Sequence, residues 1–204
     1  MKTSQNGIEF LKKHEGVHHK AYKLQGEKYY SIGVGHSFDP SITATTVWTD
    51  AQINAALAKD LEKYEQYVEQ YVKIPLNQNM MDALVSYCYN RGKGGIIELS
   101  RNSHTVQEYA DNIVKYWGKA ERYKEALIKR RKDERDLFLK GIARPTLRRG
   151  SSGNAVKELQ RRLGIKDDGL FGYATETAVK IFQKEHGLLD DGIVGSKTWA
   201  KLLK

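Results

Sequence analysis

The sequence predicts an α+β protein in two parts, and three observations carry that prediction. Residues 18–36 alternate along two runs joined by a turn, which is the pattern of a hairpin. From Thr49 to about residue 140 the apolar side chains instead recur every three or four positions, as on amphipathic helices. After a stretch rich in Pro, Gly and Ser at 141–155, "DGLFGYAT" (168–175) recurs as "DGIVGSKT" (191–198), an internal repeat in a short segment. The expectation is a small β-hairpin lobe plus a mostly helical lobe in residues 1–143. A small three-helix domain follows in 144–204, with a linker near 142–147.

The elements follow in order. Residues 4–14 read as a short helix with Ile8, Leu11 and Phe10 facing inward, stopped by Gly16. "LQGEK" is the hairpin turn. The second strand is expected to place Tyr30, Ile32, Val34 and His36 on one face and Tyr29, Ser31, Gly33 and Gly35 on the other. That second face is nearly bare backbone, which an extended ligand could approach closely. Thr49 is a candidate N-cap for a helix carrying Ile53, Leu57, Leu61, Tyr64, Val68 and Tyr71, ended by Pro75. Met80, Met81, Leu84, Val85 and Cys88 form the next stripe, with Gly92, Gly94 and Gly95 expected to stop it. Thr105 and Glu108 make a capping box, and a last helix covers about 120–140. In the repeat segment each copy has an Asp-Gly turn, an apolar pair to tuck inward and a Thr expected to cap the next helix. Amphipathic helices precede both copies, through Val156, Leu159 and Leu163, then Ala178, Val179 and Phe182.

Composition narrows the function classes. The chain has 204 residues, 40% hydrophobic and 29% charged, as an ordinary globular protein does. No apolar run approaches the roughly 18 residues that span a bilayer, so no stable membrane insertion is expected. The N-terminus shows no signal-peptide pattern. Cys88 is the single cysteine, which excludes an intrachain disulfide. The net charge of +9 suits a polyanionic partner: nucleic acid, a membrane surface or bacterial cell wall. Zinc-finger spacing, an RNP motif and a base-reading basic helix are missing, so nucleic acid is disfavoured. A monomer is expected, since no heptad repeat runs through the sequence.

The motifs now point to a family. "FLKKHEGVHHKAYK", "YYSIGVGH", "NQNMMDALVSYCYNRG" and "ALIKRRKDERDLF" stand in an order that resembles phage-type lysozymes (glycoside hydrolase family 24) over residues 5–141. "LRRGSSGNAVKELQRRLG", the two DG-x-x-G-x-x-T repeats and "TWAKLL" resemble the peptidoglycan-binding domain type 1 over 147–204. The resemblance implies a lysozyme-like fold followed by a cell-wall-binding domain, as in phage endolysins. The implied partner is bacterial peptidoglycan, no cofactor is implied, and the cut falls on the β-1,4 bond between N-acetylmuramic acid and N-acetylglucosamine. It also implies residence in the host cytoplasm until lysis, then action at the cell wall after holin-dependent release.

The family's catalytic glutamate falls on Glu15. Donating a proton to a glycosidic oxygen requires a carboxylic acid kept neutral near neutral pH, which burial in a cleft favours. The family pattern places an aspartate nine residues later and a threonine six beyond that. Here the ninth position is Leu24, and the threonine position, with one extra residue between, is Ser31. Ser31 keeps a hydroxyl that can hold an attacking water, whereas Leu24 can act neither as base nor as charge stabiliser. Inverting hydrolysis wants a second carboxylate. Glu27 in the hairpin turn is the nearest substitute, and Asp39 is the next. The resemblance also places Tyr22, Gly35, Ser37, Tyr89 and Asn90 along the sugar cleft and pairs Arg130 with Glu15. Arg131 and Arg135 read as solvated helix charges, and His36 as a structural hydrogen-bonder or a ligand contact.

Three other readings stay open. Glu15 alone could serve a lytic transglycosylase, the sugar's own 6-hydroxyl attacking to give an anhydro product. Leu24 also allows a wall-binding protein with weak chemistry. His14-Glu15-x-x-His18 spells a zinc-protease motif, but Gly16 inside it weakens the helix the metal would need, and no third ligand is identifiable. No metal site is therefore assigned. The Asp-Gly pairs lack the alternating oxygens of a calcium loop, so Asp168 and Asp191 read as turn-formers.

Overall fold

The computed structural model describes residues 1–117, 123–142 and 144–203. The chain forms two compact units, Met1–Lys140 and Gly141–Lys204. Residue 143 and the first residues of the helix expected at 120–140 lie outside the described residues.

In the first unit, helix α1 (Gln5–Glu15) starts where the Ser4 side chain accepts the Gly7 N–H, and ends at Gly16, whose φ of 80° turns the chain. Leu11 is fully buried, while Ile8 and Phe10 are half-buried. A Cβ on Gly7 would stand 2.6 Å from Asp82 Cγ, so only glycine lets this turn press onto the neighbouring helix. Buried Asp82 accepts the Ser4 N–H at 2.8 Å, which anchors α1 and so sets where its last residue, Glu15, lies.

Strands β1 (His18–Tyr22) and β2 (Ser31–Gly33) pair antiparallel, with His18 opposite Gly33 and Tyr22 opposite Ser31 across an irregular register. β2 is shorter than its alternation suggested. Gly33 and Gly35 have φ of 67° and 75°, and Ile32 and His36 exchange two backbone hydrogen bonds at 3.0 Å, so the chain reverses there. The expected bare glycine face therefore does not form. Gly33 lies against Trp48 and Ile53, where a Cβ would be 3.5 Å from each.

Helix α2 (Asp50–Tyr71) opens on the Thr49–Gln52 capping box and buries Ile53, Leu57, Leu61 and Val68. Helix α3 (Gln78–Arg101) is the centre of the unit, with α1, α2, α4 and α5 packed on it. Its residues Met81–Cys88 are completely buried. Gly92 stops the first segment of α3 as expected, whereas Gly94 and Gly95 do not end the helix. Gly92 breaks it with φ 69° and ψ −176°, and the helix resumes to Arg101 because Ile96 and Leu99 still have a core to enter. Helix α4 (Val106–Ile113) carries the Thr105–Glu108 capping box, and α5 (Lys124–Phe138) buries Leu137 and Phe138. Truncating one of these central side chains, such as Leu84, would cost about 2–5 kcal/mol.

The second unit holds three helices, α6 (Asn154–Arg162), α7 (Tyr173–Glu185) and α8 (Ser196–Leu202). Its core joins Leu147, Val156, Leu159, Phe171, Val179, Val194, Trp199 and Leu202. The expected linker residues are already part of it. Arg144 pairs with Glu158 at 2.7 Å, the Trp199 Nε1–H donates to the Pro145 carbonyl at 3.0 Å, and Leu147 bonds Val194.

The repeat closes through two glutamines. Gln160 Nε2 lies 2.9 Å from Asp168 Oδ1, 3.0 Å from the Leu170 carbonyl and 3.0 Å from Thr175 Oγ1, and its Oε1 accepts the Gly169 N–H. Gln183 repeats this with Asp191, Ile193, Thr198 and Gly192. Asp168 and Asp191 also accept the N–H two residues on, as turn-formers do. The threonines do not cap the helices: Gly172 and Gly195 hold the N-cap positions, and the buried Thr175 and Thr198 face the glutamines.

Candidate active site

Glu15 closes α1, and the left-handed Gly16 sends the chain away into β1, so the carboxylate projects at the junction of hairpin and helices. Its Oε1 meets Arg130 Nη1 of α5 at 2.7 Å, an ion pair without in-line hydrogen-bond geometry. The side chain keeps 22% exposure. Two pockets meet at Glu15 and Asn90. One, of about 250 Å³, is also lined by Gly35, Ser37, Phe38, Asp60, Tyr64 and Tyr89. The other, of about 460 Å³, is lined by His14, Tyr123, Leu127, Lys129, Arg130 and Asp133.

α3 contributes Tyr89 and Asn90. The Tyr89 hydroxyl donates to the Val34 carbonyl at 2.5 Å. Burial pushes that phenol up, and the charges of Asp60 and Glu15 add to the effect, so it stays a neutral donor. Asn90 Oδ1 accepts from Arg131 Nη2 at 2.7 Å, which leaves the amide's NH2 end for a ligand. Gly35 is required here by its backbone, whose φ is 75°, and it lies against Tyr89, with room for a Cβ 3.8 Å from the hydroxyl.

Six of the expected residues, Glu15, Gly35, Ser37, Tyr89, Asn90 and Arg130, thus come together around the two pockets. The other three lie on the hairpin and line neither pocket. Tyr22 and Ser31 face each other across the strands, and Ser31 is 7% exposed. Burial, then the charges of Glu27 and Glu15, raise the Tyr22 phenol, so this ring lies within electrostatic reach of both carboxylates. Glu27 is exposed in the turn, where its Oε2 accepts the Leu24 N–H at 3.1 Å. Leu24 itself is 62% exposed.

Several site residues escaped the sequence reading. Phe38 stands on the pocket rim at 80% exposure with φ 69°, a strained backbone for a bulky side chain, edge-on to Tyr29. No periodicity encodes such a residue. Asp60 and Tyr64 flank the Leu57–Leu61 stripe one turn apart, and Asp60 Oδ2 holds His36 Nδ1 at 2.7 Å. This makes His36 a structural hydrogen-bonder.

Arg131 is a correction. It was expected in solvent, but it is completely buried, with Nη1 at 3.1 Å from the equally buried Glu134. The spacing 127, 130, 131, 134, 138 in "LIKRRKDERDLF" held that signal, hidden because charged letters occupy the inward positions.

The H-E-x-x-H letters fall on two elements. His14 lies in the last turn of α1 beside Asp133 at 3.4 Å, whereas His18 opens β1 with its ring 4.5 Å from Tyr22. The helical face that presents two histidines to zinc does not exist. Among the described residues no group of three or more His, Cys, Asp or Glu could hold a metal ion.

Comparison with known proteins agrees with this architecture. Residues 12–134 match the Phage lysozyme family, and residues 152–202 match the Putative peptidoglycan binding domain. The endolysin of Lactococcus phage c2 is 37% identical over 160 residues, 77% of this chain and 69% of that protein. The endolysin of Salmonella phage P22 is 37% identical over 146 residues, 68% of this chain and 99% of its own length. Among solved structures, a P22 lysozyme variant superposes with a TM-score of 0.60 at 33% identity, over 68% of this chain and 99% of that one. The muramidase domain of SpmX from Asticaccaulis excentricus gives 0.60 at 32% identity, over 68% and 97%. With a two-strand hairpin and a helical lobe meeting at Glu15, and with these matches, the chain belongs to the phage lysozyme family.

Proposed function

We propose that the chain is a phage endolysin. It hydrolyses the β-1,4 bond between N-acetylmuramic acid and N-acetylglucosamine in bacterial peptidoglycan and so lyses the host cell. The observation that carries the reading is the position of Glu15 where two pockets meet, beside Arg130, Asn90 and the neutral Tyr89 hydroxyl. Relatives named endolysins and a structural neighbour titled a muramidase domain support the same activity.

The mechanism follows from these groups. A glycan lying through both pockets brings a glycosidic oxygen to Glu15. Glu15 gives its proton to that oxygen as the bond to C1 breaks. A water held by Ser31 attacks C1 from the other side and gives a proton to Glu27, and solvent returns one to Glu15. Tyr22, Ser37, Gly35 and Asn90 hold the sugars, with Phe38 offering an exposed ring to their C–H faces. Arg130 holds the carboxylate in place and releases it as substrate binds. The second unit keeps the enzyme on the wall, which raises the effective concentration of the first. The protein acts as a monomer, waits in the host cytoplasm and reaches the wall through a holin. Among the described residues no helix is long and apolar enough to cross a membrane.

A second reading has its own observation. Glu27 lines neither pocket, and the carboxylates that do, Asp60 and Asp133, each face a histidine, His36 and His14. Glu15 acting alone, with the sugar's own 6-hydroxyl as nucleophile, would release anhydro products.

Replacing Glu15 by Gln removes the proton donor and keeps its shape. Lysis measured as turbidity loss of a wall suspension should fall by about 10³-fold, with wall binding retained. Glu27→Gln should lower it by a smaller factor, about tenfold. Full activity in Glu15→Gln would end the reading, and full activity in Glu27→Gln would remove only the proposed base.

A further inference from the structure

Arg130 poses a problem for a general acid, because a guanidinium favours the ionised carboxylate beside it. The surroundings of Arg130 supply an answer. Its Nε lies 3.0 Å from Glu134 Oε1, and the same oxygen accepts the Ser86 hydroxyl at 2.8 Å. Glu134 Oε2 faces Arg131 Nη1 at 3.1 Å, and Arg131 in turn holds Asn90. Glu134, Arg131 and Ser86 are completely buried, and Arg130 is 5% exposed. One carboxylate therefore anchors both arginines, and through them two residues that line both pockets. Burial pushes the Glu134 carboxyl up, but both guanidiniums and the Ser86 hydroxyl oppose that push. A neutral Glu134 would leave buried Arg131 without counter-charge and Arg130 with Glu15 alone, so it remains a carboxylate.

We propose that Glu134 is a positioning residue for Glu15 and Asn90: it fixes Arg130 and Arg131 and offsets their charge, so that Glu15 can hold the proton it must donate. Two guanidiniums then face two carboxylates. Without Glu134 the pair of cations acts on Glu15 alone. Without Arg131, the repulsion of Glu134 offsets a larger share of the Arg130 field at Glu15. The two losses should therefore move the same property in opposite directions, which a merely structural role would not do. The inference rests on Glu15 being the acid.

The other ionisable groups are constant across the test. Around Glu15 these are Lys13 and His14 on its own helix, Tyr22 on β1, Asp60, Lys63 and Tyr64 on α2, Tyr89 on α3, and Tyr123, Lys129 and Asp133 from the α5 side. Beside the buried cluster, α3 also presents Tyr87, whose ring lies 4.7 Å from the Arg131 guanidinium carbon, and Arg91.

The experiment measures kcat/KM against pH for the full chain on soluble peptidoglycan fragments. It includes the parent, Glu134→Gln, Arg131→Gln, the double variant and Glu15→Gln. In Glu134→Gln the alkaline limb should move about one pH unit lower, roughly a tenfold loss on that side. In Arg131→Gln it should move higher, and in the double variant it should return toward the parent. If Glu134→Gln does not fold, Arg131→Gln and the double variant, in which no carboxylate or cation is orphaned by the change, still give the sign. Unmoved limbs, or shifts of one sign, with an inactive Glu15→Gln would overturn this proposal alone. An active Glu15→Gln would overturn the function reading, and this proposal with it.

Discussion

Each unit of this protein hides a polar network in its interior, and the two networks are built on opposite plans. In the second unit the network is duplicated and centred on a neutral amide, with the exposed carboxylates of Asp168 and Asp191 at its edge. Gln160 and Gln183 each close a loop of Asp, Gly and Thr, with both ends of the amide engaged. In the first unit the network beside Glu15 is ionic and unrepeated, with Arg130 and Glu134 meeting at Ser86 and Arg131 on the other Glu134 oxygen. It leaves Arg131 Nε, Arg131 Nη1, Glu134 Oε2 and Glu15 Oε1 without in-line hydrogen bonds. Among the described residues, every buried side-chain atom left in that state belongs to the first unit. A fully satisfied, amide-centred network contributes to stability and uniqueness of fold. A buried ionic one is a poor way to gain stability, so its presence beside Glu15 points to chemistry.

That contrast can be broken in the second unit first, where the expected effects on stability are largest. Gln160→Ala strips partners from buried groups around Gly169 and Thr175 and should cost about 3 kcal/mol. Gln183→Ala should cost about the same, since its partners are the same in kind and it holds them at 2.9–3.2 Å. Calorimetry of the full chain should show only the second unit's transition shifting, with hydrolysis of soluble fragments unchanged. A loss of activity in either variant would blur the division of labour.

A smaller effect is expected on the pocket rim. Phe38→Ala should raise KM about fivefold with kcat held, because the ring lines the pocket rim and would meet the sugars but no reacting bond. A change in kcat alone would place Phe38 nearer the chemistry than its exposure suggests.

The smallest effect is electrostatic. The Leu170 N–H and then Gln160 hold the Asp168 carboxyl below its ordinary value of 3.8. A folded value below the unfolded one contributes stability above about pH 4, lost as pH falls toward the depressed value. Melting of the second unit followed from about pH 5 to pH 2 should therefore drop, and Asp168→Asn should flatten that drop. An unchanged slope would mean that the turn holds Asp168 no more tightly than the unfolded chain does.

Local chemistry made much of this legible in the sequence. Thr49, Thr105 and Gly16 act at short range, and the structure places them at helix ends as their residue types demand. The repeat was visible as letters, yet its glutamines were not, because their bonds span eight to fifteen residues around a turn, outside any period. Gly92 is the stop its residue type suggested, but Gly94 and Gly95 are not, because Ile96 and Leu99 re-enter the core and a second helical segment runs on to Arg101. Arg131 was misread for a related reason. Charge is a sound sign of solvent until two opposite charges are buried against each other. Glu15 and Arg130 were found through resemblance, and the pairing of the two is geometry that no local rule would supply.

The central claim is that Glu15 protonates a glycosidic bond which water then breaks. Mass spectrometry of the fragments released from purified peptidoglycan tests it most directly. The account predicts reducing N-acetylmuramic acid ends, each carrying the elements of one water. Anhydro ends would contradict it, and would mean that Glu15 works without Glu27 and that Leu24 is no defect.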